Sequence, residues 1–222
     1  MRTNSASILR LSPTELAFSN RLFASSPQTD ARRRESHRPQ SDVPEEDEIY
    51  YILTILTDAP HHQTMCALRE RYYPPALLRI PAHISLFRAL PGSKLPLLRI
   101  EVAAAVSRLK PFKICAVGPP IRIGRNGAGV SVTGLEPARE LVRTFQEKWR
   151  DVLSRQDRRA FHGHYTIMNK VDDPGVLTRC MGELCRYFDP GGCPGMALGL
   201  TLWQYNGGWW KREADFAFSG VG

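Results

Sequence analysis

The chain has 222 residues, 42% of them hydrophobic and 23% charged, with a formal charge of +8. That is enough apolar material for one ordinary core, while no run approaches the roughly 20 apolar residues of a membrane-spanning helix. Excess positive charge suits a polyanion such as RNA, but half of it falls in residues 1–40, where seven arginines meet three acids. Charge therefore permits a nucleic-acid partner without demanding one.

Residues 1–47 are rich in Ser, Arg, Pro and Gln and run into the acidic cluster Glu45-Glu46-Asp47-Glu48. Such a segment buries too little apolar surface to offset its chain entropy, so a disordered tail is expected. Its Arg and Ser content also fits a mitochondrial transit peptide, and Arg32-Arg33-Arg34 a nuclear signal. The odd set Cys66, Cys115, Cys180, Cys185 and Cys193 includes no C-x-x-C pair. Reduced thiols in an intracellular, soluble protein are the expectation.

From residue 49 the texture changes, and residues 48–222 are expected to form the folded domain. The β-branched and aromatic run over 49–56 predicts a strand. A helix over 64–71 is stopped by Pro74-Pro75, and a strand over 80–90 ends at the turn Pro91-Gly92. A helix follows over 94–109, closed by Pro111. Strands over 112–117 and 129–132 flank the glycine-rich stretch 124–127, which lacks the Lys-Ser/Thr of a phosphate loop and reads as a hairpin turn. Leu141, Phe145 and Trp149 give helical spacing over 137–153. A strand over 165–171, a helix over 174–188 and strands over 196–205 and 214–218 complete the chain. Strands alternating with helices, some joined as hairpins, predict an α+β fold with mixed or antiparallel sheets rather than a doubly wound parallel one. The halves also echo each other, since each holds a strand carrying His-x-Ser/Thr and then a helix. Two lobes across a cleft are expected.

The echo carries the candidate chemistry. In a strand, side chains alternate faces, so His83, Ser85 and Phe87 share one surface, as do His164, Thr166, Met168 and Lys170. An imidazole beside a hydroxyl suits phosphoryl transfer. A neutral imidazole takes a proton from the attacking hydroxyl or water, an imidazolium returns one to the leaving oxygen, and the hydroxyls donate to non-bridging oxygens. The bare pattern is weak, because about one His in nine would match it by chance, and His62-Gln63-Thr64 also does. That third match lies in polar sequence read as a turn, and is set aside.

With their flanks, Pro81-Ala82-His83-Ile84-Ser85-Leu86-Phe87-Arg88-Ala89-Leu90-Pro91-Gly92 and Phe161-His162-Gly163-His164-Tyr165-Thr166-Ile167-Met168-Asn169-Lys170-Val171 resemble the paired motifs of the 2′-5′ RNA ligase family, within the 2H phosphoesterase superfamily. The segment Leu202 to Trp209 resembles that family's terminal strand. The likeness spans about residues 48–220. It implies a bilobal fold of two pseudo-symmetric, mostly antiparallel lobes around a central cleft. It also implies action on RNA 2′,3′-cyclic phosphate ends or 2′,5′ linkages without metal or nucleotide cofactor. By motif position, His83 and His164 become the acid–base pair, and Ser85 and Thr166 the phosphate donors. Ser85 replaces the commoner Thr but keeps the hydroxyl, and Gly163 stands where many members have proline.

Around this centre, Lys170 is a candidate for a distal phosphate and Phe87 for base stacking. Tyr205, with Trp209 and Trp210, could wall a nucleobase pocket. Arg88 falls on the opposite face unless a bulge intervenes. His162 and His164 form an i, i+2 pair with no third ligand at metal-site spacing, so no metal is expected. The expected partner is RNA or a nucleotide, acted on by a monomer with no membrane association. The alternatives are a non-catalytic nucleotide-binding module of the same fold and a phosphodiesterase for small cyclic nucleotides.

Overall fold

The computed structural model describes residues 38–220, so residues 1–37 and the targeting readings that fall on them lie outside it. Residues 38–47 run along the domain. The Gln40 N–H donates to the Val152 carbonyl at 3.1 Å, Lys94 pairs with Asp42, and Glu45–Asp47 form a single 3-10 turn.

Eleven principal elements follow: β1 (Tyr50–Thr57), α1 (Ala59–Tyr72), β2 (Ser85–Pro91), α2 (Leu95–Val106), β3 (Phe112–Arg122), β4 (Ala128–Thr133), α3 (Glu136–Lys148), β5 (His164–Met168), α4 (Pro174–Phe188), β6 (Cys193–Asn206) and β7 (Trp209–Ala217). Helix α1 starts five residues before the predicted start. Asp58 accepts the His61 N–H at 3.1 Å, and Pro60 sits in the first turn, where its missing donor costs nothing. The segment of His62 is thus helix rather than turn. The hairpin between β3 and β4 forms around residues 124–127 as predicted, and α4 has the predicted bounds, capped by Asp173 on the Gly175 N–H at 2.7 Å. Strand β7 begins five residues before the predicted start, because Trp209-Trp210-Lys211-Arg212 lacks the apolar alternation by which a strand is read.

All pairings are antiparallel. The sheet runs β2-β1-β6-β3-β4-β5, with β7 also on β6. Strand β6 is the hinge of this order. Its first residues, 193–197, pair with β3, and its later ones with β1 on one edge and β7 on the other. The topology repeats. β1-α1-β2-α2-β3 and β4-α3-β5-α4-β6 have the same element order and equivalent pairings, related about the β3–β6 pair. The two expected halves are therefore present, fused into one hydrogen-bonded sheet.

The helices cross between the halves. α1, from the first half, packs against β5 of the second. From the second half, Phe145 of α3 and Trp149 just beyond it pack on Phe87 of β2, with ring centroids 6.2 and 5.3 Å away. Each histidine-bearing segment is thus backed by a helix of the opposite half. Burial of the Leu53, Ile84, Leu90, Phe145, Tyr165 and Ile167 side chains makes a single core beneath both. No helix among the described residues is long and apolar enough to cross a membrane.

Candidate active site

His83, Ser85, His164 and Thr166 line one cleft of about 300 Å³, with Arg88, Asn169, Tyr205 and Trp210 around them. The two histidines are held alike. His83 Nδ1 lies 2.8 Å from the Pro81 carbonyl, and His164 Nδ1 lies 2.8 Å from the His162 carbonyl, two residues upstream in each case. A carbonyl only accepts, so each Nδ1 carries the proton and Nε2 is the nitrogen left for a substrate. The Trp210 ring stands 4.5 Å from that of His83.

Strict alternation fails just past each hydroxyl. On β2, Thr54 faces Ser85 and Leu53 faces Phe87, so one step of β1 spans two of β2. On β5, Gly129 faces Thr166 and Ala128 faces Met168, the same irregularity at the equivalent place. Each bulge inserts a residue and reverses the side-chain faces beyond it. Phe87 and Met168, predicted on the cleft face, are fully buried in the core instead. Phe87 is therefore no stacking surface. The residues that follow them, Arg88 and Asn169, line the cleft. Lys170 is also corrected: β5 ends at Met168, Lys170 takes a left-handed φ of 60°, and its exposed side chain is no part of the cleft lining. Tyr205 and Trp210 line the cleft, whereas Trp209 is exposed outside it and stands near Arg79.

Beneath the cleft lies Arg69 of α1, only 3% exposed. Its Nε donates to the Ile80 carbonyl at 3.3 Å and its Nη1 to the Thr166 carbonyl at 2.6 Å, while Tyr73 stacks on the guanidinium at 3.8 Å. This guanidinium ties the segment ahead of His83 to the strand of Thr166. Its buried neighbours are carbonyls, Tyr73 and Cys66 rather than a carboxylate, so its charge is left to act on the cleft. No sequence motif singles Arg69 out, although its spacing of four from Met65 places it on the buried face of a helix.

Burial and neighbouring positive groups act together on the two rings. Burial pushes His83 down to about 4 against the opposing pull of the Pro81 carbonyl, and Arg69, Arg88 and His164 depress it further. Burial likewise lowers His164, against the His162 carbonyl, with Arg88 and His162 adding to the depression. Lowered from the ordinary 6.5, both rings are neutral at pH 7, and an anion between them would favour the imidazolium. Among the described residues no three His, Cys, Asp or Glu side chains gather as a metal site.

The chain is similar to solved structures, three of which follow. TT0787 of Thermus thermophilus has 13% identity and a TM-score of 0.49, with 77% of this chain and 98% of that one covered. Escherichia coli LigT in apo form has 15% identity and a TM-score of 0.47, covering 78% and 99%. Kluyveromyces marxianus Usb1 with uridine monophosphate has 14% identity and a TM-score of 0.32, covering 70% and 92%. No curated protein sequence matches. The family model described as 2'-5' RNA ligase superfamily matches residues 57–209, a span that holds both histidine segments and well over half of the chain, and the chain belongs to that superfamily.

Proposed function

We propose that this chain is a metal-independent phosphoesterase of the 2H kind, acting on RNA 2′,3′-cyclic phosphate ends or 2′,5′ linkages by two-histidine acid–base catalysis. One observation carries the reading: two histidines, each with Nδ1 fixed on the carbonyl two residues upstream and a hydroxyl two residues downstream, line one cleft. In ring opening, one neutral Nε2 takes a proton from water as its oxygen attacks phosphorus. The P–O bond to one ribose oxygen breaks, and the other histidine, as imidazolium, protonates that oxygen. Ser85 and Thr166 donate to the non-bridging oxygens as charge builds there. Forming a 2′,5′ linkage puts the 5′-hydroxyl of a second RNA in the place of water, with the P–O bond to the ribose 3′ oxygen breaking, and cleaving that linkage runs these steps backwards with the histidine roles exchanged. Neither direction needs an electrophilic metal.

The deciding experiment incubates the protein, in the presence of a chelator, with a 2′,3′-cyclic-phosphate RNA and with the matching mononucleotide. Ring opening of the RNA end is the expected result. Opening of the mononucleotide alone would make this a small cyclic nucleotide phosphodiesterase, and binding of both with neither opened would make it a nucleotide-binding module.

The depressed histidines set a pH dependence. Catalysis needs one ring neutral and one protonated, so kcat/KM follows a bell between the apparent pKa values of the pair in the free enzyme. Both lie below the ordinary 6.5, which places the maximum below pH 6.5, with the fall toward neutrality marking loss of the acid's proton. A bound phosphate favours the imidazolium, so the kcat profile is displaced to higher pH than that of kcat/KM. Steady-state kinetics from about pH 4 to 8 measure both curves, and a kcat/KM maximum above about pH 7 would contradict this account.

A further inference from the structure

We propose that Arg88 is an anion-binding residue of this cleft beyond the two His-x-Ser/Thr segments, taking a non-bridging oxygen of the phosphate held between the histidines, and that Asp157 is its positioning residue. The inference rests on reading the cleft as a phosphate site, and it adds a group that neither short motif contains.

The bulge after Ser85 turns Phe87 into the core and Arg88 into the cleft. A second irregularity follows between Phe87 and Leu90, where two steps of β1 span three of β2; such a bulge frees backbone donors from the ladder, and here Asp157 takes them. Its Oδ1 accepts the Arg88 N–H at 2.9 Å and its Oδ2 the Ala89 N–H at 3.0 Å, with the Ser154 hydroxyl donating to Oδ2 at 3.1 Å. Asp157 is only 5% exposed. A carboxylate held that far from water is costly unless its oxygens are satisfied, and two of these bonds lock the backbone turn that aims Arg88. Burial raises the Asp157 carboxyl above its ordinary range, against the pull of those N–H groups and the Ser154 hydroxyl.

The equivalent position in the second half is Asn169, which also lines the cleft. Its Oδ1 accepts the Lys170 N–H at 2.8 Å, which leaves the amide N–H₂ for a ligand. The pseudo-symmetry therefore breaks in charge: one side offers a planar cationic fork and the other a neutral donor. A guanidinium suits phosphate by its paired N–H groups and its permanent charge. The ionisable groups that line the cleft with Arg88 are His83, His164 and Tyr205, with Asp157 behind its backbone. Arg88 helps depress both histidines, whereas Arg69 acts so on His83 and not on His164.

Two measurements on the whole chain test this. In NMR-followed titrations of the ring protons, Arg88→Met is expected to raise the pKa of both His83 and His164, and Asp157→Asn to move both in the same direction. Inorganic phosphate, used as the probe, is expected to bind Arg88→Met at least tenfold more weakly than the unaltered chain, with partial recovery in Arg88→Lys. Neither readout needs turnover, so they stand even if no RNA end is opened and the proposed reaction fails. If cyclic-phosphate RNA is a substrate, Arg88→Met should lose about 10²-fold in kcat/KM, as when one donor to a developing oxyanion is removed. Histidine titrations and phosphate affinity unchanged in Arg88→Met would overturn the assignment. An Asp157→Asn chain that melts earlier yet titrates as the unaltered one does would overturn the positioning role.

Discussion

Replacing either His83 or His164 by Ala is expected to lower kcat on a 2′,3′-cyclic-phosphate RNA by about 10³-fold, within the roughly 10²–10⁴ that a positioned acid or base contributes. The effect should fall on kcat more than on KM, because the lost proton transfer belongs to the transition state. Loss of either residue should hurt alike, since the two are anchored alike on upstream carbonyls. Ser85→Ala and Thr166→Val remove one neutral donor each and should cost less. Single-turnover kinetics would separate these steps, and either histidine variant keeping most of its activity would remove that histidine from the mechanism.

Phe87→Ala is expected to destabilise the fold by about 3–5 kcal/mol, the usual cost of emptying a buried aromatic site. Phe87 has no exposed surface and packs on Phe145 and Trp149. That loss is a large share of the roughly 5–15 kcal/mol that holds an ordinary domain together, and the melting temperature should fall on the order of 10 °C. Phe87 also anchors the bulge that points Arg88 outward, so activity measured well below the melting point should drop as well. A side chain that stacked on a base from the surface would behave differently, leaving the melting temperature in place and raising KM. Thermal unfolding and KM measured on one preparation distinguish the two.

The four central residues are legible in the sequence because histidine and hydroxyl two apart share a strand face, and their order along the chain survives folding. The fold class is legible too, since apolar runs of strand length alternate with helical spacing. What the sequence hides is local irregularity. A period of two cannot register an inserted residue, so it puts Phe87, Met168 and Lys170 on the cleft face and leaves Arg88 off it for want of a bulge. These irregularities answer tertiary demands: Phe87 is buried under the sheet, and Asp157, 69 residues away along the chain, takes the Arg88 and Ala89 donors released by the second shift of β2, between Phe87 and Leu90. The start of α1 is obscured because Pro60-His61-His62 looks like a turn, although Asp58 ahead of a proline is itself a helix-start signal. Fusion of the two halves through β6 cannot be read from hydropathy, because strand pairing is set by contacts distant in sequence.

The central claim is that His83 and His164 act on one phosphate as a single acid–base unit, and the double variant tests it most directly. With kcat measured for His83→Ala, His164→Ala and His83→Ala/His164→Ala on the same cyclic-phosphate RNA, the double variant should be no more than a few-fold slower than either single one, since removing one partner already disables the unit. Losses that multiply, or a single variant close to the unaltered rate, would show that the two histidines do not work together.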